Sequence, residues 1–302
     1  MSVDVILANV LAHCGGDREQ AARHLSRAIA SAPSDAEVYA AAVELLPALG
    51  ELSADDPTVA PILAFAHFLD GRMDDAALTL GALSGVSPHI AWADAPWFAN
   101  ASFLSGVSIE AVREAVYLLF DHAAVPDDAA ARPWLRAVET ITSRAGLVPE
   151  DLAGMAISLR LLGRADDSLA LCDRADRVGL TMLTEVVRGG TWRLLGNLDE
   201  AAAAFHRALA LEPDNWSLYL DLSDLHAERG DHPAALAAAQ AGLSHAPNEP
   251  KLLAARAAHH ARLTGTADAL REFERLTPDI DPAYCRWLRE HATGAAWCGK
   301  SH

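Results

Sequence analysis

The sequence predicts an all-α solenoid of antiparallel helix pairs, and three observations carry that prediction. Segments of the chain repeat at an offset of 34 residues, glycine and proline stand at fixed places within each repeat, and the composition suits closely packed helices. Of the 302 residues, 51% are hydrophobic but only 6% are aromatic, and Ala-rich runs such as Ala201 to Ala204 recur. Such runs favour helices that approach one another through small side chains, and they argue against a β-sandwich or barrel. Length bounds little, because a repeat protein buries each unit on its neighbours and does not build one central core.

The clearest repeat aligns Gly196-Asn197-Leu198-Asp199-Glu200-Ala201 with Gly230-Asp231-His232-Pro233-Ala234-Ala235, and the same 34-residue step carries Ala208 to Gly242 and Pro213 to Pro247. Three features recurring together define a structural unit. Upstream, Gly16, Ala28 and Pro33 keep the internal spacing, Gly71, Ala76 and Pro88 echo it, and Gly163 stands 33 residues before Gly196. Gly196 and Gly230 are placed to end a helix in a left-handed turn, and Asp199 and Asp231 fall near the first turn of the next, where negative charge suits the helix dipole. Pro213 and Pro247 close the second helix of each pair. Within that helix Ala201, Ala204, Phe205, Ala208 and Leu209 form one apolar stripe at helical spacing.

The segment from Thr191-Trp192-Arg193-Leu194-Leu195-Gly196 through Phe205, Ala208 and Pro213 resembles the tetratricopeptide repeat family. The resemblance extends over most of the chain. It implies a right-handed α-solenoid whose first helices line a concave groove where partner segments bind.

Departures from the pattern cluster in the N-terminal half. Between Gly50 and Pro57 the run Glu51-Leu52-Ser53-Ala54-Asp55-Asp56 replaces a second helix, and the stretch from His122 to Arg132 reads as a loop with a short helical piece. The unit around Ala91-Trp92-Ala93-Asp94-Ala95-Pro96-Trp97 is also atypical. The expected organisation is degenerate helical repeats over 1–147, regular repeats over 148–281, and a C-terminal capping helix and tail over 282–302. Tyr284, Trp287, Leu288 and His291 form the apolar stripe of that cap, which a solenoid needs to cover its last exposed face.

With 24 Lys and Arg against 41 Asp and Glu, the net charge is −17. Phosphate backbones and anionic lipid surfaces are repelled by such a surface, so neither nucleic acid nor a membrane is an expected partner. Only Lys251 and Lys300 are lysines, the other basic side chains being Arg, as in proteins of GC-rich bacterial genomes. The Leu11-Ala12-His13-Cys14-Gly15 stretch lacks the basic flank and small residue of a lipoprotein cleavage site, and no apolar run suffices to span a bilayer, so the expected address is cytoplasmic. The widely spaced Cys14, Cys172, Cys285 and Cys298 read as free thiols and not as a disulfide framework.

The groove implied by the resemblance has three predicted stripes. Leu183, Val186, Val187, Gly190 and Arg193 lie on one first helix, Asp221, Asp224, Glu228 and Asp231 on the next, and Lys251, Ala254, Ala255, Ala258 and Arg262 on the third. An acidic strip between an apolar wall and an alanine floor suits a neutral or basic protein or peptide held by charge-assisted hydrogen bonds. Its carboxylates equally suit pairing with Arg193 and Arg262 on a solvated face. The Lys, Arg and Asn that clamp a C-terminal carboxylate in tetratricopeptide cochaperones are replaced mainly by Val, Leu, Gly and Asp, which disfavours that ligand.

A second candidate is an aromatic ledge of His89, Trp92 and Trp97, around which an accessory or sensor protein holds a small molecule; aromatic core is the competing reading. Cys285, His291, Cys298 and His302 invite a metal, but Cys285 and His291 point about 120° apart on one helix, so no metal or other cofactor is expected. No phosphate loop, nucleophile elbow or metalloprotease helix appears, so no catalytic residue is assigned. The sequence therefore predicts a non-catalytic scaffold, with self-association of an exposed solenoid end as a further expectation.

Overall fold

The computed structural model describes residues 2–15, 17–52, 56–98, 100–120, 128–278 and 280–294. Among these residues the regular structure is entirely helical, and no helix is long and apolar enough to cross a membrane. Two compact units divide the chain, Met1–Ser168 and Leu169–His302, with the division inside one helix.

The first unit contains α1 (Val3–Val10, continued by a π turn over Leu11–Gly15), α2 (Arg18–Ser31), α3 (Ala36–Leu49), α4 (Ala60–Leu69), α5 (Met73–Val86), α6 (Ala101–Gly106), α7 (Ile109–Phe120), α8 (Asp128–Thr142) and α9 (Pro149–Leu161). Helix α10 (Ala165–Val178) straddles the division. The second unit continues with α11 (Met182–Leu194), α12 (Leu198–Leu211), α13 (Trp216–Glu228), α14 (His232–His245), α15 (Pro250–Thr264), α16 (Ala267–Arg275) and α17 (Pro282–Thr293).

The repeated glycines act as the offset predicts. Gly71, Gly163, Gly196 and Gly230 have φ of 75°, 78°, 75° and 73°. In each case the following residue donates its N–H back across the turn: Arg72 to His67 O, Arg164 to Leu159 O, Asn197 to Trp192 O and Asp231 to His226 O, at 2.8–2.9 Å. These bonds satisfy carbonyls that the helix end would leave unpaired and turn the chain into the next helix. Asp231 then caps α14, its Oδ1 accepting from Ala234 N at 3.1 Å.

Packing inside a pair depends on small residues. Ala201, Ala204, Phe205 and Ala208 of α12 are all buried, and the Phe205 ring lies against Gly189 of α11, where a methyl group would stand 2.8 Å from it. Burying Phe205 contributes roughly 1.5–3 kcal/mol. In the first unit, Gly81 of α5 meets the backbone of α7 so closely that an added Cβ would lie 2.6 Å from Ala115 O.

The irregular half departs from strict pairing. Between Gly50 and Pro57 the described residues are not helical, and Pro57–Val59 forms a single 3₁₀ turn leading into α4. The sequence expectation of a loop with a short helical piece over His122 to Arg132 is corrected: residues 128–132 belong to the continuous 15-residue helix α8, because Asp128 and the three alanines after it favour a helical first turn. The rest of that expected loop, 122–127, lies outside the described residues.

Because Ala115 O belongs to helix backbone and cannot move aside as a side chain can, Gly81→Ala is expected to cost about 1–3 kcal/mol of stability. Urea denaturation compared with Gly106→Ala, whose added Cβ would meet only the flexible Met73 side chain at 3.0 Å, measures it.

Candidate functional site

The first helices of the second unit bring most of the predicted groove residues onto α11, α13 and α15. Arg193 of α11 and Glu228 of α13 form a two-pronged ion pair, with Nε donating to the carboxylate oxygens at 2.9 and 3.0 Å and a terminal nitrogen at 2.5 Å. Glu228 is therefore engaged within the chain. Asp221 is half-buried and lies in the field of Arg193.

Asp224 has a different setting from the exposed carboxylate that the acidic strip predicts. It is only 7% exposed, and Tyr284 of α17, sixty residues downstream, donates its hydroxyl to Oδ1 at 2.8 Å. Burial pushes the Asp224 carboxyl up to about 7, against the lowering pull of the Tyr284 hydrogen bond and of Arg193. The Tyr284 phenol is itself raised by burial and by the carboxylate beside it.

Helix α17 covers this face. Tyr284 stacks on Trp287 with centroids 5.7 Å apart, and Trp287 lies 4.1 Å from the His291 ring. Leu288 and Cys285 pack into the cluster formed by Ala254, Ala255 and Ala258 of α15. The predicted alanine floor is thus the seat of α17. Arg262 lies against Gly294 at the end of α17. Val187, 1% exposed, is corrected from a groove contact to a core residue, whereas Leu183 and Val186 are half-buried, Val186 packing beside Phe205 and Leu222.

An ion cluster around the buried Glu185 of α11 escaped the sequence reading. Glu185 is buried and takes Arg207 Nε at 3.0 Å, while Arg188 beside it bonds Asp173 at 2.5 Å and also Asp176. Cys172 lies near this cluster, and burial pushes its thiol up to about 12, which keeps it protonated and inert. The only advance signal was charge spacing on neighbouring helices, which does not reveal burial.

The proposed aromatic ledge is divided by burial. Trp97 is buried in an aromatic cluster, 5.2 Å from Phe68 and 5.5 Å from Phe103, which is the core alternative and not the ledge. The Pro96-Trp97-Phe98 turn is pulled inward because Phe98 packs 4.7 Å from Trp134. His89 is exposed, and Trp92 is buried.

Among the described residues, no group of three or more His, Cys, Asp or Glu is placed to hold a metal ion. Cys285 instead directs its thiol to Thr277 O and Ile280 O, and His291 Nδ1 lies 2.8 Å from Trp287 O. Cys298 and His302 lie outside the described residues.

The raised Asp224 carboxyl makes a pH prediction. In the unfolded chain this group titrates near ~3.9. Its favourable neutral form is fully present below that value, and stability is lost as pH rises through about 7 in the fold. Asp224→Asn is expected to abolish this loss, worth about 4 kcal/mol between acid and pH 8, and to be the more stable protein at pH 8. Denaturant titrations of both proteins at several pH values read the difference.

Residues 194–258 match the family model described as Tetratricopeptide repeat. Among solved structures, a tetratricopeptide repeat protein from Parabacteroides merdae shares 15% identity, covering 96% of this chain and 97% of its own, with a TM-score of 0.48. MamA shares 16% identity over 49% of this chain and 86% of its own at a TM-score of 0.42. YrrB, described as a tetratricopeptide repeat protein with an unusual peptide-binding site, shares 14% over 61% and 92% at 0.39. No curated protein matches in sequence. The match to the tetratricopeptide repeat model thus covers residues 194–258, which hold the glycine-closed turns at Gly196 and Gly230, and turns of the same backbone geometry stand outside it at Gly71 and Gly163.

Proposed function

We propose that this protein is an interaction module that binds a protein or peptide partner along the first-helix face of the unit spanning 169–302, and that it performs no catalysis. The observation that carries this reading is the seating of α17 on that face. A helix presenting Tyr284 and Trp287 rests on the alanines of α15 and donates a hydrogen bond to Asp224 of α13. The face is thereby suited to a helical segment that combines aromatic anchors with a donor, a recurring mode of recognition on amphipathic grooves. On α11 and α13, Asp221, Asp224 and Glu228 outnumber Arg193, which favours a neutral or basic partner there over an acidic one.

On this reading the half-buried Leu183, Val186 and Asp221 are the first contacts, with Arg193 and Glu228 orienting the approach. A partner that takes the whole face displaces α17. Capture from the native cell on immobilised full-length protein, followed by mass spectrometry, tests both parts. Asp221→Arg should reduce capture of the specific partner about tenfold, a change of roughly 1.4 kcal/mol. Tyr284→Ala, which loosens α17, should increase it. Capture that ignores both substitutions at moderate salt would sink the proposal.

A further inference from the structure

A second groove lies within the unit spanning residues 1–168. Helix α3 is followed by the Pro57–Val59 turn and α4, with no helix among the described residues between α3 and that turn. A groove of about 770 Å³ is lined by α2 on one side and by the end of α5 on the other, with Trp92 also in its wall. That volume matches sites for small organic ligands.

The groove is polar at one end and apolar at the other. On α2, Arg23, Ser26, Arg27 and Ala30 fall at i, i+3, i+4 and i+7, so they share one face, and all four line the groove. Arg23 is held by Asp56 at 3.2 and 3.3 Å, by Thr58 at 3.2 Å and by Glu19. Toward the other end stand Ala30, Leu83, Val86 and Ile90, with Val86 67% exposed.

Two groups in this wall are unmatched. Ser26 is 2% exposed and Trp92 5%, and neither Ser26 Oγ nor Trp92 Nε1 has a hydrogen-bond partner. Some helical serines in the same unit bond back to a carbonyl, Ser31 to Ala28 O at 3.0 Å and Ser84 to Leu80 O at 2.8 Å, whereas the buried Ser158 of α9, away from this groove, has no partner. Ser26 makes no such bond. Buried donors without acceptors are rare, and an indole N–H can only donate, so this wall calls for an acceptor.

Charge narrows its class. Arg23 is already balanced by Glu19 and Asp56, Asp17 stands at the same end, and Arg27 lies 3.8 Å from Asp4 and bonds His24. An anionic head would find no uncompensated cation there. We propose that this groove binds a small amphipathic molecule with an aliphatic body and a neutral acceptor head, such as an amide carbonyl, that takes hydrogen bonds from Trp92 Nε1 and Ser26 Oγ. The aliphatic body lies along Ala30, Leu83 and Val86. This site is independent of the first-helix face of the other unit.

Octanamide and octanoate form a matched pair of probes with the same chain and different heads. In the full-length protein labelled with ¹⁵N, the Trp92 indole N–H resonance, assigned by its loss in Trp92→Phe, should shift saturably with octanamide. Octanoate should bind at least roughly fivefold more weakly, because its charge gains no partner. Ser26→Ala should weaken octanamide binding about three- to tenfold while leaving the melting temperature unchanged or raised, since it removes a buried hydroxyl that nothing else satisfies. Ala30→Phe, which fills the apolar end, should abolish the shift in a protein whose other indole resonances are unmoved. The proposal is overturned if octanamide produces no saturable shift at Trp92, if octanoate binds more tightly, or if Ser26→Ala leaves the affinity unchanged.

Discussion

Four helix pairs among the described residues turn on one backbone device, a glycine in the left-handed region that ends the first helix and lets the next residue bond back to the turn before it. Gly71, Gly163, Gly196 and Gly230 adopt nearly the same φ, and the bonds they permit have nearly the same length. A side chain there would strain the turn, and a different turn would change the angle at which the second helix returns. The rest follows from that angle. It brings Phe205 onto Gly189, and close approach of this kind works only where one partner has no side chain.

The same regularity creates the face on which α17 rests. Ala254, Ala255 and Ala258 leave a shallow apolar floor on α15. Tyr284 and Trp287 cover it, and the reach of Tyr284 to Asp224 ties the last helix to one two first helices upstream. Burial of Asp224 costs little while it holds its proton and more once it is ionised, when the hydrogen bond from Tyr284 offsets part of that cost. On the proposed reading, a partner of this face competes with α17, a segment already suited to it.

The N-terminal unit shows what happens where the alternation lapses. With no helix described between α3 and the turn at Pro57, α2 keeps a face of Arg23, Ser26, Arg27 and Ala30 along a groove instead of against a helix. Farther on, aromatic residues replace small ones as the packing material, and Trp97, Phe98, Phe103 and Trp134 fill space that regular pairs would fill with alanine stripes.

By itself the sequence determined the helical class, the 34-residue step, the glycine-closed turns and the apolar stripe of α12, because these depend on local backbone preference and on periodicity along a single helix. It also marked Asp224, Glu228 and Arg193 as sharing one face, and it offered pairing between carboxylate and guanidinium as one of two readings. Only the tertiary structure decided that Glu228 takes Arg193, that Asp224 lies beneath Tyr284, that Val187 and Trp97 belong to the core, and that Trp92 lines a groove with Ser26. Burial and pairing across sixty residues depend on how far one helix is displaced over another. That displacement is set by the sum of many side-chain volumes, and no spacing within the chain records it.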